Sequence, residues 1–194
     1  MYEVEQKYPL VDVPSVEAAL GRLGATCLGT VEQVDRYFSH PSRDFAATDE
    51  ALRLRSTGSH LAITWKGPRL DAAAKTRREI ELPLIEAAVP AAAGAEAAVP
   101  DALDRWTELL EALGFRPVRE VAKRRRIASV AWEGSEITVA IDRVAGLGDF
   151  VELEIQADAA GIAVAAGRIA SLAKHLRCGQ PERRSYLEML LERA

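Results

Sequence analysis

The sequence predicts an α+β protein: an eight-stranded antiparallel β-barrel, closed on itself as a tunnel, with amphipathic helices packed outside. Several segments alternate apolar and charged residues with the period of two that a β-strand gives. The gaps between many of them are short, which favours antiparallel pairing because a parallel crossover needs about a dozen or more residues. The charges on these strands share one face and carry both signs, so closing the sheet would gather them in one cavity.

Eight segments are candidate strands. The clearest alternation covers residues 2–8, 51–57, 77–84, 137–143 and 150–156, and weaker candidates cover 28–39, 60–66 and 119–132. Turn residues separate several of them, for example Thr57-Gly58-Ser59 and Glu133-Gly134-Ser135.

Four helices are predicted from apolar residues at helical spacing. Ser15 is a candidate N-cap for a short first helix that carries Val16, Ala19, Leu20 and Leu23 on one face. Apolar stripes predict further helices over 101–114, over 159–177 and at the C-terminus, and Gly114 is a stop signal for the first of these. The Ala- and Pro-rich residues 86–100 are predicted to form a flexible connector within a single domain that covers 1–194.

Composition limits the partners. The formal net charge is only -4, so no global field favours nucleic acid or an anionic membrane. No run of about eighteen apolar residues is present, and the N-terminus carries acids where a signal peptide needs an apolar core. Cys27 and Cys178 make neither a disulfide framework nor a zinc site. We therefore expect a cytoplasmic protein with no nucleic-acid and no membrane partner.

Pairs of like charges two residues apart recur on one face of the candidate strands. A single such strand is better explained as the solvated face of an ordinary sheet, but the recurrence favours an interior face. The cavity would gather the acids Glu3, Glu5, Glu79, Glu81, Asp142, Glu152 and Glu154 with the bases Lys7, Arg53, Arg55, Lys66, Lys75, Arg77, Lys123 and Arg125. Carboxylates suit Mg²⁺ or Mn²⁺, and guanidinium groups bind phosphate, so the pattern predicts a metal-bound polyphosphate.

These residues resemble the CYTH family, also called the triphosphate tunnel metalloenzymes, which includes class IV adenylate cyclases, thiamine triphosphatases and inorganic triphosphatases. The signature Glu-x-Glu-x-Lys stands at Glu3, Glu5 and Lys7. The resemblance continues through VDRYFSHP, ALRLR, ITWKGP, KTRREIELPL, VAKRRR, IDRVAGLGDFVELEI and SYLEMLL. Ser39 and Ala128 depart from it, standing where an acid and an aromatic residue are common.

The resemblance implies a role for each matching residue. Glu3, Glu5, Glu152 and Glu154 would be ligands of Mg²⁺ or Mn²⁺, and Asp142 is assigned to the metal site with them. The triphosphate would be bound by Arg53, Arg55, Lys66, Arg77, Lys123 and Arg125. Lys7, Lys66 and Glu5 are the candidate catalytic residues, with Lys7 orienting or activating the attacking group. Glu79 and Glu81 would be either ligands or partners that hold arginines.

Three functions stay open at this point. Attack by a ribose 3′-hydroxyl on the α-phosphate of ATP would make cyclic AMP and pyrophosphate, whereas water attacking a terminal phosphate would make an inorganic or thiamine triphosphatase. A non-catalytic polyphosphate- or nucleotide-binding module is disfavoured by the number of carboxylates. The run VDRYFSHPSRDFAATDEALRLR resembles the cyclase branch, which we favour. The expected partner is a nucleoside triphosphate or another small triphosphate, and a homodimer is left open.

Overall fold

The computed structural model describes residues 2–69, 77–85 and 95–193, without the side chains of 69, 77 and 95–100. The strands are β1 (Tyr2–Leu10), β2 (Thr26–Ser39), β3 (Ala51–Thr57), β4 (His60–Arg69), β5 (Arg77–Ile85), β6 (Arg116–Trp132), β7 (Ser135–Val144) and β8 (Gly148–Ala157). The helices are α1 (Val13–Arg22), α2 (Phe45–Thr48), α3 (Ala95–Ala112), α4 (Ile162–His175) and α5 (Tyr186–Leu191).

All eight predicted strands are present in one antiparallel sheet, in the order β1-β8-β7-β6-β2-β3-β4-β5. The closed barrel is not observed, because β1 and β5 are the two edges and no ladder joins them among the described residues. Each edge strand contains a proline, Pro9 in β1 and Pro83 in β5, and proline cannot donate to a neighbouring strand. The sheet is nevertheless curled enough for Glu3 of β1 to interact with Lys66 and Glu79 near the opposite edge.

The predicted distribution of apolar and charged faces is confirmed. On the convex face, α1 and α4 cover apolar residues of β1, β7 and β8, among them Val4, Val139 and Leu153, which are fully buried. A second cluster lies under α3, where Leu103 and Leu110 pack with Leu54 and other residues of β2, β3 and β4. The charged side chains are therefore left on the concave face.

Helix α5 corrects the expectation that every helix packs outside. Its residues Tyr186, Met189 and Leu190 pack with Val121, Val144 and Phe150. Val121 and Val144 are two residues from Lys123 and Asp142 on their own strands, so they lie on the concave face. The charged face thus gives way to an apolar patch at one end of the sheet, and α5 covers that patch from inside.

Three predicted helix details are also corrected. The N-cap of α1 is Asp12, whose carboxylate accepts a hydrogen bond from the Ser15 backbone N–H at 3.0 Å, so Ser15 is not the cap. Helix α3 begins at Ala95, which makes residues 95–100 of the predicted connector helical, while 86–94 lie outside the described residues. Helix α2 was not predicted, because four residues are too few to show a period. None of the described helices is long and apolar enough to span a bilayer.

Candidate functional site

A cavity of about 680 Å³ opens on the concave face. It brings together twelve of the predicted site residues, from β1, β3, β4, β5, β6 and β8: Glu3, Glu5, Lys7, Arg53, Arg55, Lys66, Glu79, Glu81, Lys123, Arg125, Glu152 and Glu154. Asp142 is fully buried behind its wall. The side chain of Arg77 and the whole of Lys75 lie outside the described residues.

One group of cations is organised around Asp35, and we name Asp35, Arg53 and Arg55 the Asp35 cluster. The Arg55 guanidinium donates from Nε to Oδ1 and from Nη2 to Oδ2 of Asp35, both at 2.7 Å. Arg53 Nη1 donates to the same Oδ2 at 3.3 Å. Burial by itself would raise the pKa of Asp35, but Arg53 and Arg55 outweigh it and hold that pKa well below the usual range. Asp35 therefore stays ionised and fixes both guanidinium groups at the cavity wall.

A second group has Asp142 at its centre, and we name Asp142, Lys123, Arg125 and Tyr186 the Asp142 cluster. Arg125 donates to both carboxylate oxygens, at 2.7 and 2.6 Å, and Lys123 Nζ donates to Oδ2 at 3.4 Å. The Tyr186 hydroxyl donates to Oδ2 at 2.9 Å. Burial raises the pKa of Tyr186 well above its usual value, which keeps the hydroxyl protonated as a donor. These contacts place Asp142 as the anion that holds the cations, and its assignment to the metal site stays a prediction.

Lys7 lies between the sheet and the C-terminal segment and is only 1% exposed. Its Nζ donates to the backbone carbonyl of Arg184 at 2.5 Å. The same ammonium lies 4.0 Å from the ring centroid of Tyr186 and 5.9 Å from that of Phe150, within the range of cation–π attraction. The C-terminal segment therefore orients this lysine.

The glutamates of β1 and β8 face one another across the ladder that joins these strands. Glu5 lies directly opposite Glu154. Burial, reinforced by the charges of Glu154 and Glu5, raises the pKa of Glu3 to about 7. Burial also raises the pKa of Glu154, and Glu5 and Glu152 add to that rise. Like charges so placed are destabilising unless a cation offsets them, and their hard oxygens suit Mg²⁺ or Mn²⁺.

The carboxylates are grouped more loosely than a formed metal centre. Among the described residues, no three Asp, Glu, His or Cys side chains converge closely enough to hold a metal ion. The donor chemistry of Glu3, Glu5, Glu152 and Glu154 fits a hard divalent cation, and binding would require these side chains to draw together.

Glu79 and Glu81 act in this structure as partners of other side chains. Glu79 accepts from Lys66 Nζ at 2.7 Å and lies 3.9 Å from Arg53 Nη2. Glu81 accepts a hydrogen bond from the Thr64 hydroxyl at 2.8 Å. Of the two roles that the sequence left open, the structure displays that of positioning partner for Glu79.

The cavity is also lined by residues that were not among the predicted site residues. The α2 segment contributes Arg43, Phe45 and Glu50, while Val118 and Leu191 add apolar surface. Val118 is 41% and Leu191 is 45% exposed. An apolar lining beside a strongly charged cavity suits an organic group joined to a chain of phosphates.

The run Arg124-Arg125-Arg126 is split between the two faces of β6. Arg125 binds Asp142 and Glu152 on the concave side. Arg124 pairs with Glu32, and Arg126 with Glu17, on the outside. The run therefore presents no continuous basic strip.

Comparison with known proteins places the chain in a family. The CYTH domain matches residues 1–186, and the chain belongs to this family. It is 34% identical over 154 residues to MJ0240 of Methanocaldococcus jannaschii, covering 79% of this chain and 77% of that protein. It is 31% identical over 161 residues to the adenylate cyclase CyaB of Aeromonas hydrophila, covering 81% of this chain and 70% of CyaB.

Two solved structures show the same fold. PH1819 of Pyrococcus horikoshii OT3 is 34% identical, with a TM-score of 0.79 and complete coverage of both chains. HpAC1 of Hippeastrum, for which a dominant triphosphatase activity is described, is 16% identical, with a TM-score of 0.64 and coverage of 99% of this chain and 96% of that one. At that identity HpAC1 is informative about the fold alone.

Proposed function

We propose that this protein is a metal-dependent enzyme that processes a triphosphate, and that its reaction is the conversion of ATP to cyclic AMP and pyrophosphate. The observation that carries the proposal is the cavity, which a row of glutamates on β1 and β8 lines together with two groups of cations held by buried carboxylates. A chain of phosphates with a divalent cation would satisfy both sets of charges.

Glu3, Glu5, Glu152 and Glu154 would hold Mg²⁺ or Mn²⁺. Such an ion, when bound, neutralises charge on the phosphates and polarises their oxygens. The raised pKa values of Glu3 and Glu154 are consistent with this assignment, since burial first and neighbouring carboxylates second disfavour the ionised forms, and a bound cation would favour them.

The cations of the Asp35 and Asp142 clusters, with Lys66, would bind the phosphate oxygens. Asp35 and Asp142 position Arg55 and Arg125 by two hydrogen bonds each, so these donors need little reorganisation when the ligand arrives. Lys7 is held by the C-terminal segment and is proposed to orient the attacking group. Phosphoryl and nucleotidyl transfer depend mainly on such positioning and charge neutralisation.

Two reactions fit this cavity. In the cyclase, the ribose 3′-oxygen forms a bond to the α-phosphorus of ATP, the bond to the bridging oxygen breaks, and pyrophosphate leaves. In the triphosphatase, water attacks a terminal phosphate and orthophosphate leaves. The similarity to CyaB favours the first reaction. The apolar lining at Val118 and Leu191 favours a triphosphate with an organic group, such as ATP or thiamine triphosphate, over inorganic tripolyphosphate.

The test is product analysis by chromatography after incubation with Mg²⁺ or Mn²⁺ and ATP, thiamine triphosphate or tripolyphosphate. We expect cyclic AMP and pyrophosphate from ATP and their loss on chelation of the metal. Glu5→Gln should abolish turnover, whereas Glu17→Gln, which changes a glutamate on the outside, should not. Orthophosphate alone, with tripolyphosphate cleaved far faster than ATP, would favour the triphosphatase. Tight binding without turnover of any substrate would support a binding module.

A further inference from the structure

Tyr186, the first residue of α5, contacts charged groups from three different strands. Its side chain is buried, and its hydroxyl donates to Asp142 Oδ2 at 2.9 Å. The centroid of its ring lies 4.0 Å from Lys7 Nζ and 5.2 Å from Lys123 Nζ. One aromatic side chain thus meets two cations through its ring and their neighbouring anion through its hydroxyl.

The backbone around Tyr186 fixes where this side chain points. The Ser185 hydroxyl accepts from the Glu188 backbone N–H at 3.1 Å, and Glu188 closes a capping box at the start of α5. Lys7 is tied to the same segment, since its backbone carbonyl accepts from the Glu182 N–H at 2.7 Å and its Nζ donates to the Arg184 carbonyl. The start of α5 and Lys7 therefore hold one another in place.

The Tyr186 hydroxyl also influences the position of the Lys123 ammonium. Asp142 Oδ2 accepts from Arg125 at 2.6 Å and from Tyr186 at 2.9 Å, whereas Lys123 Nζ is 3.4 Å away. Because two closer donors already use this oxygen, the ammonium of Lys123 is held only weakly by it and lines the cavity. Without the hydroxyl, Oδ2 would have capacity to draw Lys123 towards the wall.

We propose that Tyr186 is a positioning residue, which orients Lys7 with its ring and keeps Lys123 turned to the cavity with its hydroxyl. The proposal rests on the proposed function, since it makes phosphate binding by these lysines depend on Tyr186. Met189 and Leu190 of the same helix serve packing, because they fill the apolar patch formed by Val121 and Val144.

The first test separates hydroxyl from ring by calorimetry with inorganic tripolyphosphate and Mg²⁺. Tyr186→Phe keeps the ring, and we expect it to weaken binding about tenfold, the size of one hydrogen bond to a charged group. Tyr186→Leu removes ring and hydroxyl and should weaken binding further. The control is Met189→Ala, which removes a buried apolar side chain from the same helix but keeps Tyr186 and the capping box that positions it, and it should bind like the wild type. Equal affinities for all four proteins, with only the melting temperature lowered, would overturn the proposal.

The second test needs no ligand. The Tyr186 ring lies over Lys7, so ring-current effects should shift the ε-methylene proton resonances of Lys7 in the NMR spectrum. This shift should persist in Tyr186→Phe and disappear in Tyr186→Leu. Unchanged Lys7 resonances in Tyr186→Leu would overturn the proposal. If the wild type neither binds nor cleaves any triphosphate, the proposed function fails, and the NMR result still decides whether Tyr186 orients Lys7.

Discussion

The Asp35 and Asp142 clusters are built alike and supported differently. In each, a buried aspartate binds an arginine through two hydrogen bonds, with Arg55 and Arg125 directly opposite Asp35 and Asp142 on the neighbouring strand. In each, a second cation two residues earlier on the arginine's strand reaches the same aspartate, Arg53 at 3.3 Å and Lys123 at 3.4 Å. The difference is Tyr186, which adds a donor from α5 to Asp142.

This difference shows two ways to hold buried cations beside a ligand cavity. In both clusters the bidentate pair is a cross-strand pair, so strand register alone fixes it. The arrangement around Asp142 also needs α5 to be docked, because one of its donors comes from that helix. Tyr37, which interacts with Arg53, packs against the same apolar cluster as α5, so the Asp35 cluster has an indirect link to that helix. We therefore expect the Asp142 cluster, which receives a donor from α5 directly, to respond to changes in α5 more strongly than the Asp35 cluster.

The largest effects should come from removing either central charge. Asp35→Asn and Asp142→Asn each remove the central anion that two buried or half-buried cations share, so each should lower the free energy of unfolding by about 3–5 kcal/mol. Urea denaturation measures this loss. Hydrogen exchange separates the two variants, because Asp142→Asn removes the acceptor of the Tyr186 hydroxyl and should speed exchange in α5 more than Asp35→Asn does.

Two control variants test whether the loss of stability is specific to buried carboxylates. Asp104→Asn and Glu120→Gln change exposed carboxylates that pair with Arg36, and they should cost far less than the two buried aspartates. Exchange of α5 that is as fast in Asp35→Asn as in Asp142→Asn would contradict the expected difference between the two clusters.

The next largest effect should be the loss, at acidic pH, of the stability that Asp35 contributes. Its pKa in the folded protein lies below the unfolded value of about 3.9, so its stabilising contribution is complete above that pH and is lost as the pH falls. The stability difference between wild type and Asp35→Asn should therefore narrow as the pH falls below about 4, by at most about 1.4 kcal/mol per pH unit. Urea unfolding between about pH 3 and about pH 6, values chosen to bracket about 3.9, gives the slope. A difference that stays constant with pH would show that Arg53 and Arg55 do not stabilise the ionised carboxylate.

Replacing the arginine of either cluster by lysine should have a smaller effect, on ligand affinity, and one of equal size in the two clusters. Arg55→Lys and Arg125→Lys keep the positive charge but lose the fork that binds a carboxylate and a phosphate bidentately. Each should weaken binding of tripolyphosphate by about tenfold, the order of one charge-assisted hydrogen bond. Calorimetry measures both. A loss confined to Arg125→Lys would mean that the ligand contacts only the Asp142 cluster.

The faces of the strands could be read from the sequence, but Asp35 could not. Alternation with a period of two separates charged from apolar faces in β1, β3 and β8, where each charged face carries at least two charges. In β2 the concave face contains Gln33, Asp35 and Tyr37, with a single charge, while Arg36 lies on the outer face. The signal for Asp35 was its position opposite Arg55, which requires a register that alternation does not give.

The alternation of apolar and charged residues could not predict whether the sheet closes or on which face α5 packs, for a related reason. Alternation tells which side chains share a face and is silent on which strands are neighbours at the edges. An amphipathic helix shows that one side is buried and does not say against which face of the sheet. The relevant signal is that Val121, Val144 and Phe150 are apolar residues on the face that otherwise carries charges. The structure explains them, because α5 packs on this part of the concave face.

The smallest effect should come from Arg124, the neighbour of Arg125 in the chain. Its side chain is 64% exposed and its Nε lies 3.5 Å from Oε1 of Glu32, which is itself 74% exposed. An exposed pair of this kind contributes little, so Arg124→Ala should change the free energy of unfolding by less than about 0.5 kcal/mol. Because successive residues of a strand face opposite sides, it should also leave tripolyphosphate affinity unchanged while Arg125→Lys lowers it. A loss of affinity in Arg124→Ala would mean that phosphate binding follows the basic run as a whole, and the division of β6 into an inner and an outer face would no longer explain it.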